Sequence, residues 1–211
     1  MAIFWSNVAV SMQSALATAV AITGISKASP GVVSHSGTDP SDGDYVILKI
    51  KGMHQIDKRV ARVASAGVGS FELEGIDTTS FGTFTSGTFE VITFGNAFNS
   101  MTDVSPSGGE PEFADTTTIH DSVRKQVPVL TAGLQIASTL IFDPSDATHQ
   151  AAQSASENIE ERAFIFTFSN GSKLLFNGYV SLPNVPTGQA QGLVTTPLNI
   201  TADGRATTYA S

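Results

Sequence analysis

The residues best suited to holding a metal or moving a proton are four histidines, His35, His54, His120 and His149. They fall in three separate regions and no two sit at a ligand spacing, so surface histidines are expected. Asp39, Asp42 and Asp44 in "TDPSDGDYV" offer the hard oxygen donors that a calcium ion takes. Their spacing is not one-three-five and no closing Glu follows, which predicts an Asx-type turn instead. "GVGS" and "PSGGEP" could cradle phosphate only between a strand and a helix of a βαβ unit; neither is so placed, and both read as turns. No G-x-S-x-G is present, and an abundance of Ser and Thr does not nominate a nucleophile. Cysteine is absent, which removes disulfides and thiolate metal sites. Asn170-Gly171-Ser172 and Asn199-Ile200-Thr201 match a glycosylation pattern, but the first reads as a hairpin turn and nothing argues for secretion. The chemistry-bearing residues therefore predict no enzyme, no metal and no cofactor.

The elements that would carry any site are mostly strands. Only 14% of the residues are charged, against roughly 25% in an average globular protein, and Thr, Ser, Gly, Val and Phe fill their place. So few charges predict that much of the surface ends inside an assembly. No charge precedes Lys27, yet "NVAVSMQSALATAVAITGI" is interrupted by Asn7, Ser11, Gln13, Ser14, Thr18 and Thr23. No basic segment leads it, and its period-two alternation reads as strands rather than as a signal peptide or membrane span. A first strand is expected from Ile3 to Met12. From Thr18 to Glu90, "VAITGISKA", "DYVILKIKG", "RVARVAS", "SFELEGI" and "TFEVITF" are short strands bounded by Gly- and Asp-rich turns.

Asn96 to Val127 differs. It holds Pro106, Gly108, Gly109 and Pro111, and five acids from Asp103 to Asp121 with no base before Arg124. It reads as a long loop tied at both ends to strands, "TFEVITFGNAFNSM" and "VPVLTAGLQIASTLIF". One helix is expected in "FDPSDATHQAAQSASENIEERA", with Asp143 as N-cap, Pro144 at the first position and Asp146 in the first turn. Ala147, Ala151, Ala155 and Ile159 would form its narrow packing stripe. A hairpin follows at once, turning at Asn170-Gly171, a pair that favours a type I′ turn. It is apolar on both sides: Phe164, Phe166 and Phe168 alternate with Ile165 and Thr167, and Leu174 and Phe176 with Leu175 and Tyr179. A sheet with one wet face alternates apolar and polar, so each side of this hairpin needs a cover from its own chain or a neighbour. A strand from Leu193 to Thr201, an Asp203-Gly204 turn and a short polar tail complete the chain.

Nineteen acids against eleven bases leave a net charge of −8, the wrong sign for gripping phosphates.

From Asn158 onward, "NIEERAFIFTFSNGSKLLFNGYV" and "SLPNVPTGQAQGLVTTPLNITADGRAT" resemble the major tail tube proteins of long-tailed bacteriophages. The shared pattern is a helix, a strand ending at Phe-x-Asn-Gly, a Gly-aromatic-Val strand and a last strand closing near Gly-Arg. "AIFWSNVAV", Glu90 to Met101 and Val127 to Asp143 fit the same frame less tightly. The likeness thus covers residues 1–16 and 90–211. Residues 17–89 are similar to a small β module of phage tail proteins that is named for its likeness to part of ubiquitin-activating enzyme. Its marks are Gly43-Asp44-Tyr45-Val46, Gly52-Met53 and "FELEGIDTT".

The resemblance implies a mainly β fold, a pair of sheets flanked by one short helix, with the module inserted. It implies a structural virion protein that forms stacked, six-membered rings, the phage tail tube, as a negatively charged conduit for DNA ejection. The partners implied are copies of itself head to tail, a tape measure protein, a tail terminator, distal tail proteins, and passing DNA without specific binding; no membrane is implied. The place implied is the virion tail, after synthesis in the host cytoplasm. Asp103, Glu110, Glu112, Phe113, Asp115, Asp121, Arg124 and Lys125 lie where the family's loop reaches the next ring. Phe164, Phe166, Phe168, Asn170, Gly171, Leu174, Phe176 and Tyr179 would form a hairpin of the lumen or core sheet. The alternative is a non-tubular β-sandwich surface protein, a capsid decoration protein or carbohydrate-binding adhesin, presenting an aromatic such as Trp5 or Tyr45 near its loops.

Overall fold

A computed structural model describes residues 7–210. In chain order the strands are β1 (Ala9–Leu16), β2 (Val20–Ile25), β3 (Val32–His35), β4 (Tyr45–Lys51), β5 (Val60–Gly67), β6 (Ser70–Leu73) and β7 (Ser86–Ala97). There follow β8 (Met101–Ser107), β9 (Pro111–Asp115), β10 (Gln126–Thr131), β11 (Gln135–Ile141), helix α1 (Ala147–Glu157), β12 (Glu161–Thr167), β13 (Lys173–Ser181), β14 (Thr195–Ala202) and β15 (Thr207–Tyr209). Of the first strand expected from Ile3, residues 3–6 lie outside the described residues, as does Trp5; the strand observed is β1.

Among the described residues, hydrogen bonding runs through 13 strands in the order β2-β3-β6-β5-β4-β7-β1-β12-β13-β14-β11-β8, with β15 added to β13. Because β7 also pairs with β2, the first six of these close into a barrel. Val33, Val46, Leu48, Phe71 and Phe89 fill it, the inward positions of strands whose alternation the sequence displays. His35 is packed there as well, its ring 5.7 Å from Phe71 and 5.1 Å from Phe89. β3, which supplies it, is too short for its pattern to be read.

The rest of the sheet curls around α1. Met12, Phe98, Leu140, Phe164, Phe166, Phe176 and Leu198 meet Ala152 and Ala155 in a second core. The helix begins one turn later than expected: Asp146 is the N-cap, accepting from the Thr148 N–H at 3.3 Å, while Asp143 folds an Asx turn onto Ser145. Its buried face is Thr148, His149, Ala152 and Ala155, and Ile159 is 76% exposed with φ +54 beyond the helix end. Of the expected stripe Ala155 is buried, Ala151 packs at the margin of the core and Ala147 is exposed. His149 packs edge-on to Phe142 at 5.4 Å, so two of the four histidines are buried rather than on the surface.

Candidate assembly surface

Each face of the β12–β13 hairpin is covered by the protein's own chain. Phe164, Phe166 and Phe176 stack at 5.5 and 5.8 Å in the core under α1, with Phe168 and Leu174 at its margin. Ala163, Ile165 and Leu175 face the other way, onto Ile47 and Val60 of the barrel, Ile92 of β7 and Tyr209 of β15. The hairpin is thus the middle layer between two cores, which accounts for its double apolar pattern. Its turn is not type I′. Gly171 has φ +84 while Asn170 keeps negative φ, and the bond from the Gly171 N–H to the Phe168 carbonyl (2.9 Å) makes a type I turn closed by a left-handed glycine. Asn170 Oδ1 accepts from the Ser172 N–H and hydroxyl at 3.1 and 2.7 Å. Gly178, the glycine of the Gly-aromatic-Val strand, lies so close to β14 that a Cβ would meet the Thr201 carbonyl oxygen.

Sequence patterns gave no hint of the polar joint between barrel and hairpin. Lys58, in the turn before β5, donates to Glu161 at 2.5 Å and to Asp203 at 2.6 Å. Tyr179 donates to the same Glu161 oxygen at 2.6 Å and Asn177 to the other at 3.1 Å. Burial pushes the Glu161 carboxyl up, but bonds from Lys58, Tyr179 and Asn177 outweigh it and hold the group below the usual carboxylate range. Hydrogen bonds to Asp203, then Glu161, raise Lys58 above the usual lysine range. The short tail expected to be polar contains β15: Thr207 and Tyr209 are buried, the Tyr209 hydroxyl accepts from the Arg62 N–H at 2.8 Å, and Arg59 donates to the Thr207 hydroxyl at 2.8 Å. The β-branched and aromatic "TTY" was the available signal.

The segment expected to be a long loop contains two whole strands, β8 and β9, together with the end of β7 and the start of β10. Asp103 belongs to β8, paired in the main sheet opposite Thr139. Residues 109–132 form an arm, the β9–β10 hairpin, which among the described residues pairs with no other strand. All 5 residues of β9 and all 6 of β10 are exposed. Register places Phe113 with Pro128 on one face of the arm, and Ala114 with Val127 and Glu112 with Leu130 on the other. Phe113 is 56% exposed and Leu130 66%. At the tip, Arg124 reaches Asp115 at 2.9 Å and Lys125 pairs with Asp121. Hydrogen bonds from Thr117, then Arg124, lower the Asp115 carboxyl, and Lys125, then Thr118, do so at Asp121. Glu110 and Glu112 form no ion pair among the described residues. Of the eight loop candidates, therefore, seven lie on the arm and Asp103 stands apart on β8.

Asp39 accepts from the Gly69 N–H at 2.8 Å and Asp42 from the Ala66 N–H at 2.6 Å, while Asp44 accepts from Ser41 at 2.8 Å, so these acids tie the turns at one end of the barrel. Among the described residues no three potential metal ligands converge. Tyr45 is not offered to solvent as a stacking platform: Phe94 lies 5.7 Å away edge-on and Lys173 donates to its hydroxyl at 2.7 Å.

The profile of a family described as "Phage tail tube protein, TTP" matches residues 51–211, from the end of β4 onward. The chain belongs to the phage tail tube protein family. It is accordingly a structural, self-assembling subunit of the tail tube, carried in the virion tail, and the family is not enzymatic. No curated protein sequence matches the chain. One solved structure that it is similar to is titled "Tail of empty GTA particle computed with helical refinement, C6 symmetry"; identity is 16%, the TM-score is 0.43, and the match covers 56% of this chain and 87% of that one.

Proposed function

We propose that copies of this tail tube protein close into rings of six, that the rings stack head to tail, and that the resulting tube conducts DNA from capsid to host. The observation that carries this reading is the arm. A two-stranded hairpin is marginal in water unless one face is packed, and this one carries apolar residues on both faces, all of them exposed among the described residues. A second copy supplies the cover in a homopolymer, and a contact between unlike surfaces propagates along an axis. The arm would lie against the next ring, with Glu110, Glu112 and Phe113 among the contacting residues. Its outer edges are poor templates for in-plane pairing, because Pro111 and Pro128 lack the N–H that a further strand would use. Contact through the faces is therefore favoured over strand addition. Among the described residues one border of β8 is unpaired, and it suits lateral pairing within a ring, from Met101 as far as Ser105, before Pro106 interrupts it.

The barrel, residues 17–89 in the division drawn from sequence, would face outward as an inserted module. A tape measure protein inside and terminator and distal proteins at the ends are the further partners, and the subunit would be made in the host cytoplasm. Electron microscopy of negatively stained purified protein tests the reading. Tubes with six subunits per ring are expected; a preparation holding only monomers or unstacked particles at high concentration overturns it.

A further inference from the structure

We infer that the corner formed by residues 182–194, the β13–β14 loop, and the C-terminal end of α1 is a binding surface for a second copy, whose arm seats on it. The inference rests on the tube reading above and adds the receiving half of the contact. Apolar side chains scattered singly are normal on a surface, whereas clusters mark contacts. Among the described residues 12 large apolar side chains are exposed; six lie on the arm, and four, Ile159, Val185, Leu193 and Val194, lie at this corner. The corner is fastened, not loose. Thr187 and Thr195 exchange backbone bonds of 2.7 and 2.8 Å across the base of the loop, and the Phe142 N–H donates to the Val194 carbonyl at 2.9 Å. The Leu182 N–H donates to the Ser156 hydroxyl at 3.0 Å and the Asn184 side-chain amide to Glu157 at 2.9 Å, which ties the loop to the helix. No charged residue occurs between Lys173 and Asp203, a span that contains the whole loop. Depletion of charge marks the buried centre of an interface.

Ile159 supplies an independent observation. It follows the helix in the left-handed region, at φ +54, and is 76% exposed. Glycine or asparagine ordinarily holds that position, because a β-branched side chain is strained there. The described residues bury little of it in return. A strained residue kept for a side chain that its own fold leaves open points to a partner. Topology and charge make that partner the arm of another copy. Gln135 lies opposite Ser107 and Thr201, where the arm leaves the sheet, and Ile141 lies opposite Thr195, where the loop enters it. The two apolar surfaces thus sit at opposite ends of β11, roughly 20 Å apart along the strand. Unlike surfaces at opposite ends of one subunit join copies head to tail. Arm against arm would instead set Glu110 and Glu112 against their own copies, a like-charge contact that the charge-free loop does not impose.

Because the chain has no cysteine, a paired substitution reads the contact directly. Ala114→Cys on the arm and Gln189→Cys on the loop, combined in one chain, leave every large apolar group in place. Tubes of this variant are treated with a short flexible bismaleimide and separated on a denaturing gel. A ladder that extends past the size of one ring is expected, with no ladder from either single variant. A ladder that stops at one ring puts the contact between lateral neighbours. Dimers from Ala114→Cys alone put arm against arm, and tubes without cross-links leave the corner empty. Each of these overturns the inference while the tube reading stands. Ile159→Gly is the second measurement, and it decides the matter if the paired variant does not assemble. It is expected to melt no lower than wild type, its strain being relieved, while the concentration needed to form tubes rises about tenfold. Tubes of Ile159→Gly at the wild-type concentration overturn the inference. If the unaltered chain forms no tubes, the tube reading fails and this inference with it.

Discussion

Lys58 adopts φ +57, a backbone conformation rare outside glycine, and from it reaches two carboxylates on the far side of the barrel junction. Lys58→Met leaves Glu161 and Asp203 facing each other without a cation. Since Lys58 and Asp203 are more than a third exposed, solvent discounts the loss to roughly 1–2 kcal/mol, read from urea unfolding of unassembled protein. The direction of each shift fixes the pH window. Glu161 is held below its ordinary value, so its contribution is present above the unfolded carboxylate range and disappears as pH falls through the lowered value. Lys58 is raised, so its contribution persists below the unfolded lysine range and disappears only as pH rises through the higher value. The difference between wild type and Lys58→Met is therefore expected to be flat across neutral pH and to shrink on acidification; a difference that grows in acid contradicts the network. Tyr209→Ala removes a ring shared by barrel and hairpin and is expected to cost about 3 kcal/mol in the same measurement. Gly178→Ala, which drives a methyl group into β14, is expected to cost about 1–3 kcal/mol. Single residues like these were the least legible in the sequence: Lys58 lies 103 positions from Glu161 and Tyr209 lies 147 from Arg62, and no local pattern connects either pair.

At the scale of elements, legibility followed the reach of the force that shapes each one. Alternation located β2, β4, β5, β6 and β7, because side-chain periodicity is local to a strand. The helix was found but its start was displaced, since Asp143 and Asp146 are equally good caps by residue type and only packing chooses between them. Half of the arm was missed as structure: the strand expected from Val127 contains most of β10, but Pro111 and the acids lower strand propensity in β9, and the pairing is offset by a bulge near Val129. Its apolar positions nevertheless make a sharp expectation. Val127→Ser with Leu130→Ser on one face, or Phe113→Ser on the other, should leave the melting of the monomer within about 0.5 kcal/mol of wild type, because these groups are already exposed. Light scattering should show loss of assembly in both cases. Assembly unaffected by either substitution removes the arm from the contact. Replacing Glu110 and Glu112 together by Lys should shorten tubes, whereas Asp115 and Asp121 are already balanced by Arg124 and Lys125; unaltered tube length in the double variant counts against the arm's role.

Across the whole molecule, the net charge of −8 is unevenly placed, with β11 and β14 lying in two long charge-free spans and ion pairs such as Lys49–Glu90 and Arg62–Glu74 studding the barrel. The overall acidity was plain from composition, but composition cannot say which side of a sheet a residue occupies. β7, at 12 residues, carries Phe89 in one core, Ile92 in the layer between and Ala97 beside β1, and no loop interrupts it. Such a spine has no hinge. Torque applied to a tube during injection would pass into the barrel as shear along backbone hydrogen bonds rather than as bending at a flexible tether, so whatever the barrel displays must turn in step with the tube.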